Sequence, residues 1–270
     1  MREERLLYKT ADGFSLVGLR AAPSHRRGWA LMMHGITESK DEYGGFYIDL
    51  ARELNRSRVG TLRFDFRGHG ESSGSSMDIS VLGDVLDIEA SVLQMTGRGK
   101  ENLAFIGTSF GAGPAILASS GLAESVRSLT LIAPVLDYHR TFLEPETPWA
   151  KQWFSPQAIK DLPKRGYLLL DGYKLSPRLF QEFRFIRPLD YLQESPSPTV
   201  IIHGDRDTMV PYSVSKAAAG RRRNTRLHTL VDTDHGFSHF DDDDGTSPKS
   251  QHHKHELIQE AVNFVSSHLS

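Results

Sequence analysis

The residues with the clearest chemical meaning are Gly107-Thr108-Ser109-Phe110-Gly111, which follow the apolar run Leu103 to Ile106 and precede Ala112-Gly113-Pro114-Ala115. A serine hydroxyl becomes a useful nucleophile only where a base can take its proton. On a tight turn from a strand into a helix, the residues two before and two after the serine must be small, and the hydroxyl then projects clear of the sheet. Helix amides face the reacting centre from behind, where their partial positive charge favours an oxyanion. An isolated Gly-x-Ser-x-Gly is more often a flexible turn. Here a strand-like run precedes it and a helix-like run follows, as a nucleophile elbow requires.

A base and an acid that orients it are available further along the chain. After the apolar run Thr199 to His203 comes Gly204-Asp205-Arg206-Asp207-Thr208-Met209-Val210-Pro211. After the strand-like Arg226 to Val231 comes Asp232-Thr233-Asp234-His235-Gly236-Phe237. A histidine at 235 would serve as base, and an aspartate would hold its tautomer and stabilise the imidazolium. Asp232 and Asp234 sit too close in sequence to reach the far nitrogen easily, and turn formation is their expected role. Of the 12 histidines, His239 is the natural control. His252, His253 and His255 open the last helix and are expected to face solvent, with no carboxylate fixed beside them to complete a metal site.

These groups need elements to position them. Ala30 to Met33, Thr61 to Phe66, Leu103 to Gly107, Ser128 to Ala133 and Thr199 to His203 read as buried strands. Tyr47 to Leu54, Ile79 to Met95, Gly111 to Leu117 and Leu257 to Leu269 carry apolar residues at helical spacing. Such alternation predicts an α/β fold with a mostly parallel sheet covered on both faces, and Gly13 to Ala22 alternates like an antiparallel edge strand. Between Leu136 and Pro188 the alternation stops, and prolines interrupt any long helix. Residues 136-188 are therefore expected to be an inserted, aromatic-rich cap or lid lobe on a core made of 1-135 and 189-270. Most of its aromatics should glue the lobe down, while some should line a pocket at the sheet edge.

Four motifs together resemble the α/β-hydrolase fold family over nearly the whole chain: His34-Gly35, Asp65-Phe66-Arg67-Gly68-His69-Gly70-Glu71-Ser72, the elbow at Ser109, and the loops at Asp207 and His235. Ser, Asp, His is the chain order of that fold. The resemblance implies catalytic Ser109, His235 and Asp207, the last preferred to Asp205. It also implies an oxyanion hole from the backbone N–H groups of Ile36 and Phe110. His34 is expected to fix its loop. Within the family the chain is most similar to cinnamoyl and feruloyl esterases, although Thr108 and Phe110 stand where that group commonly has His and Gln. Tyr173 falls where those enzymes put a tyrosine against the phenolic ring, and Trp149 and Trp153 are further candidates for substrate contact. Relatives that open haloalkanes or epoxides carry aspartate in place of Ser109.

The bulk composition narrows the alternatives. With 270 residues, 39% hydrophobic and 24% charged, the chain has the content of one large globular domain. A net charge of −2 gives no broad basic field for nucleic acid or an anionic membrane. Arg221 to Arg223 read as a solvated helix end, and Asp241 to Asp244 as a solvated loop. Without cysteine there is no thiol nucleophile or disulfide framework. The Asp65 to Ser72 turn lacks the Lys-Ser/Thr ending of a phosphate loop. A mixed-charge N-terminus and the lack of a membrane-length apolar stretch predict a cytoplasmic protein. The expectation is a serine carboxylesterase that needs no cofactor or metal and acts on a small-molecule ester, with a homodimer left open. Acylglycerol lipase, thioesterase, serine peptidase and a non-catalytic ligand receptor on the same fold are the alternatives.

Overall fold

Five buried runs and two flanking segments form most of one eight-stranded sheet in the computed structural model, which describes residues 2–97, 99, 101–242 and 244–269. The strands are β1 (Glu4–Lys9), β2 (Ser15–Ala21), β3 (Trp29–Met33), β4 (Gly60–Phe64), β5 (Leu103–Thr108), β6 (Val126–Ile132), β9 (Thr199–Gly204) and β10 (Thr225–Leu230), and β7 and β8 lie outside this sheet. Their order is β1-β2-β4-β3-β5-β6-β9-β10. β2 pairs antiparallel with both β1 and β4, and every later pairing is parallel. This is the expected α/β-hydrolase architecture. β1 adds an edge strand that the sequence reading did not single out.

The central strands are apolar throughout because both sheet faces are covered. On β5, Leu103 and Phe105 enter one core and Ala104 and Ile106 the other. Helices α2 (Val81–Thr96), α3 (Ala112–Gly121), α7 (Pro188–Glu194) and α8 (Tyr212–Arg221) pack on the first face. Helices α1 (Phe46–Arg56) and α9 (Pro248–His268) cover the second. Of the three arginines at the end of α8, Arg221 and Arg223 are exposed. Contrary to the solvated reading, Arg222 is buried and donates to Thr199 Oγ1 at 2.9 Å, Thr225 Oγ1 at 2.6 Å and the carbonyls of Ser195 and Ser197. A guanidinium fork is the group that can gather several such acceptors at once.

Between Leu136 and Pro188 the prolines begin helices more often than they break them. Pro148, Pro156, Pro177 and Pro188 start α4 (Pro148–Trp153), α5 (Pro156–Arg165), α6 (Pro177–Phe185) and α7, where a missing N–H costs nothing. Ser155 and Ser176 accept from Ala158 N and Leu179 N as side-chain caps. A short hairpin, β7 (Leu168–Leu170) and β8 (Tyr173–Leu175), turns at Asp171-Gly172 with both residues at positive φ. This region builds a third apolar cluster of its own, in which Tyr138, Phe142, Phe154, Phe180 and Phe183 are buried together with Ile79, Val81 and Phe110.

Candidate functional site

Ser109 stands at the end of β5 with φ 50°, a left-handed conformation that a serine adopts only when its surroundings impose it. The glycines two before and two after Ser109 stand where no side chain fits. A Cβ on Gly107 would lie 2.7 Å from Ala112 Cα, and one on Gly111 would lie 2.3 Å from the His34 carbonyl oxygen. Ser109 Oγ is 3.1 Å from His235 Nε2, and His235 Nδ1 is 2.6 Å from Asp207 Oδ2. Because an ionised carboxylate only accepts, Nδ1 carries the proton and Nε2 is free to accept from the serine hydroxyl.

The ends of two adjacent parallel strands bring the acid and the histidine together. Gly204 ends β9, and a Cβ there would sit 2.2 Å from the Thr233 carbonyl oxygen, so only glycine lets the two loops approach. Arg206 N then donates to that carbonyl at 3.0 Å. Asp207 Oδ1 accepts from the amides of Met209 and Val210 at 2.7 and 2.8 Å. Asp205 points elsewhere, accepting from Asp232 N at 2.7 Å. Asp234 accepts from Ser238 N at 2.8 Å and shapes the turn, while Asp232 pairs with Arg206. Burial by itself would push the Asp207 carboxyl up, but His235 and His203 beside it hold it well below the usual carboxylate range. Burial opposes the imidazolium of His235, and the Asp207 carboxylate outweighs that, so its pKa lies above the ordinary histidine value.

The loop after β3 lies against the serine. A Cβ on Gly35 would be 3.3 Å from Ser109 Cβ, and Ile36, the next residue, lines the cavity beside Ser109. His34 is buried and fixes this loop. It accepts from Phe66 N at Nε2, 3.0 Å away, so its Nδ1–H donates to the Gly35 carbonyl at 2.7 Å. Burial drops its pKa to about 4, which leaves it neutral. Glu42, also buried, accepts from Gly35 N at 2.8 Å, and burial raises its carboxyl to about 7. The Asp65 to Ser72 turn buttresses this loop from outside. Asp65 accepts from Lys40 N at 2.7 Å and from Glu71 N at 2.9 Å, and forms an ion pair with Lys40 at 3.0 Å.

A cavity of about 350 Å³ opens beside Ser109 and His235. Ile36, Val135, Phe142, Trp149, Met209 and Val210 make its apolar wall, and Glu38, Asp171 and Asp234 its acidic one. Trp149 is thus on the wall. Tyr173 and Trp153 are not among its described lining residues. Asp171, at the hairpin tip, turns to the cavity, and Tyr173 two residues on lies against His69 with ring centroids 5.3 Å apart. Trp153 packs on the lobe's own aromatic cluster. The lobe is tied to the acid loop by Thr147 Oγ1, which donates to the Met209 carbonyl at 2.8 Å, and by Trp149 N, which donates to that of Thr208 at 3.3 Å.

Two buried residues that the motifs did not reveal also hold the site. Tyr47 on α1 donates its hydroxyl to the Met33 carbonyl at 2.9 Å and lies 2.8 Å from Thr108 Oγ1, bracing the ends of β3 and β5 together. His203 shares Asp207 with His235. In sequence both look like ordinary members of a helix and a strand. His239 pairs with Asp241 and donates its amide to Ser250 Oγ, away from Ser109. Of the helix-start histidines, His252 and His255 are exposed, whereas His253 is half-buried against Thr233 Oγ1 at 2.9 Å. No cluster of metal-ligating side chains is found among the described residues. In the acidic run, Asp242 accepts from Ser247 N at 2.9 Å and Asp244 from Thr246 N at 3.0 Å; Asp243 lies outside the described residues.

A strand-end serine, a histidine and an aspartate in this topology belong to a known architecture, and the model of the alpha/beta hydrolase family matches residues 30–247. The chain belongs to that family. Among solved structures it is similar to Est1E from Butyrivibrio proteoclasticus with ferulic acid bound, at TM-score 0.78 and 24% identity, covering 98% of this chain and 99% of that one. It is also similar to the esterase PF2001 of Pyrococcus furiosus, at TM-score 0.69 and 21% identity over 100% of this chain and 92% of the other. At these identities the likeness is one of fold. The uncharacterized protein YfhR of Salmonella typhimurium is 26% identical over 189 residues, which cover 67% of this chain and 56% of YfhR. The chain spans little more than half the length of that curated relative. Among the described residues no helix is long and apolar enough to cross a membrane.

Proposed function

We propose that the protein is a serine carboxylic ester hydrolase working through an acyl-enzyme. The observation that carries this reading is the unbroken line from Ser109 Oγ through His235 to Asp207, at 3.1 and 2.6 Å. Ser109 attacks the ester carbonyl while His235 Nε2 takes its proton. The amides of Ile36 and Phe110 receive the tetrahedral oxyanion. His235 returns the proton to the leaving alcohol, and water repeats the cycle on the acyl-enzyme. Asp207 keeps the Nε2 lone pair aimed at the serine and stabilises the imidazolium.

The cavity favours a compact acyl group. Its volume of about 350 Å³ lies near the lower end of the roughly 300–1,000 Å³ range of ligand pockets. A short-chain or hydroxycinnamoyl ester suits that space better than a long-chain acylglycerol. The flat Trp149 and Phe142 rings on one wall suit an aromatic acid, with residues 136–188 acting as the cap. In this reading the enzyme is cytoplasmic and uses neither metal nor cofactor. The test is hydrolysis of p-nitrophenyl acetate, butyrate and decanoate and of methyl ferulate by the wild type and Ser109→Ala in parallel. Ser109-dependent cleavage of methyl ferulate and the two short esters, with decanoate poor, is expected. No turnover of any of the four would overturn the proposal.

A further inference from the structure

The acid at the site is held by more donors than a catalytic carboxylate needs. Asp207 is wholly buried, and four groups converge on it: the amides of Met209 and Val210 on Oδ1, and two imidazoles on Oδ2. His235 Nδ1 lies 2.6 Å from Oδ2 and His203 Nε2 lies 2.9 Å from the same atom. His203 comes from β9, four residues before the acid, and is itself fully buried. Its Nε2 must carry a proton, since a carboxylate cannot donate. Its other nitrogen, Nδ1, lies 2.8 Å from Ser215 Oγ in the first turn of α8. The imidazole is therefore pinned at both ends and aimed at one oxygen.

We propose that His203 is a positioning residue that fixes the Asp207 carboxylate and limits how strongly it holds the proton of His235. The reading rests on the proposed hydrolase mechanism, in which His235 must be neutral to act as base. The carboxylate would be satisfied without His203, because two amides already serve Oδ1 and His235 serves Oδ2. The extra donor therefore acts on charge. A hydrogen bond to an ionised carboxylate stabilises that charge and lowers its basicity. Asp207 then attracts the His235 proton less, and the neutral base persists to lower pH. The other ionisable groups around His235 are Glu42, Asp234 and Glu38, all acidic and all drawing its pKa upward. Among the described residues, His203 and His235 are the two side chains hydrogen-bonded to the Asp207 carboxylate, and His203 is the one that offsets its pull on the His235 proton.

The experiment compares kcat/KM against pH for p-nitrophenyl acetate in wild type, His203→Leu, His203→Gln and Ser215→Ala. The imidazole resonances of His235 are titrated by NMR in the same proteins. His203→Leu should move the rising limb of activity and the NMR titration of His235 upward by about one pH unit. His203→Gln, which keeps a terminal N–H donor, should restore most of the shift. Ser215→Ala, which frees the ring from its second anchor, should give a smaller shift in the same direction and stands in if His203→Leu does not fold. Lower turnover with an unmoved limb and an unmoved His235 titration would overturn the proposal while leaving the hydrolase reading intact. Absence of turnover in the wild type would overturn the hydrolase reading instead, and the NMR titration would still decide whether His203 governs His235.

Discussion

The sheet edge that carries Ser109, Asp207 and His235 and the aromatic-rich segment 136–188 are held in opposite ways. At the edge, single atoms are fixed by backbone. Gly107, Gly111 and Gly204 each let another chain segment come closer than a Cβ would permit, and Ser109, His235 and Asp207 are joined by hydrogen bonds. In the lobe, positions are set by rings packed against rings. Phe142 and Phe183 stack with centroids 4.6 Å apart, Tyr138 and Phe183 lie at 4.9 Å, and Phe142 and Phe154 meet edge to face at 5.0 Å. Steric prohibition gives the first region geometric precision, and area burial gives the second cohesion with tolerance for exchange.

That contrast predicts different penalties. Ser109→Ala or His235→Ala should lower kcat by about 10³- to 10⁶-fold on a short ester, with a melting temperature close to that of wild type. Wild-type turnover in Ser109→Ala would remove the central claim. Asp207→Asn should lower kcat by about 10⁴-fold, and Asp205→Asn by far less, because Asp205 Oδ1 accepts from the Asp232 amide and not from His235; equal losses would deny Asp207 its distinct role. Phe183→Ala should act chiefly on stability, costing about 3–5 kcal/mol as a cavity in a ring cluster, measured by urea unfolding. A smaller loss would mean that the lobe closes over the gap.

A milder test concerns pH. A base must be deprotonated, and the pKa of His235 lies above the ordinary value of 6.5. Activity should therefore rise with pH through a midpoint above 6.5 and decline as pH falls below it. A midpoint below that value would mean that Asp207 does not outweigh burial. His239→Ala should keep turnover within about twofold although His239 is buried, because its partners are Asp241 and Ser250 and not the reacting atoms.

The difference between the regions also governed what could be read from the sequence. Glycines forced by close approach leave a spacing, so the elbow around Ser109 and the loops at Asp207 and His235 were visible as motifs, and branched apolar runs marked the strands. β1 was missed because its alternation of exposed and buried residues spans only six positions at an edge. The lobe's helices were hidden because Pro148, Pro156 and Pro177 read as breakers when they are first residues. The resemblance puts Tyr173 at the substrate; it stands on β8 against His69, with Asp171 of the Asp171-Gly172 tip on the cavity wall, and how a hairpin docks on its neighbours is not written in residue type. Tyr47 acts through contacts with β3 and β5, of which sequence spacing carries no trace, and His203 reads as one more residue of a buried strand although Asp207 is only four residues on.

Phe110 belongs to both regions at once. It follows Ser109 directly in the chain, while its ring is buried in the aromatic cluster near Tyr138, Phe142 and Phe183. The lobe is therefore not a freely exchangeable module. A foreign segment grafted between 135 and 189 would have to bring its own socket for this ring, and selection for a new specificity through these residues would carry an inherited constraint from the residue next to Ser109.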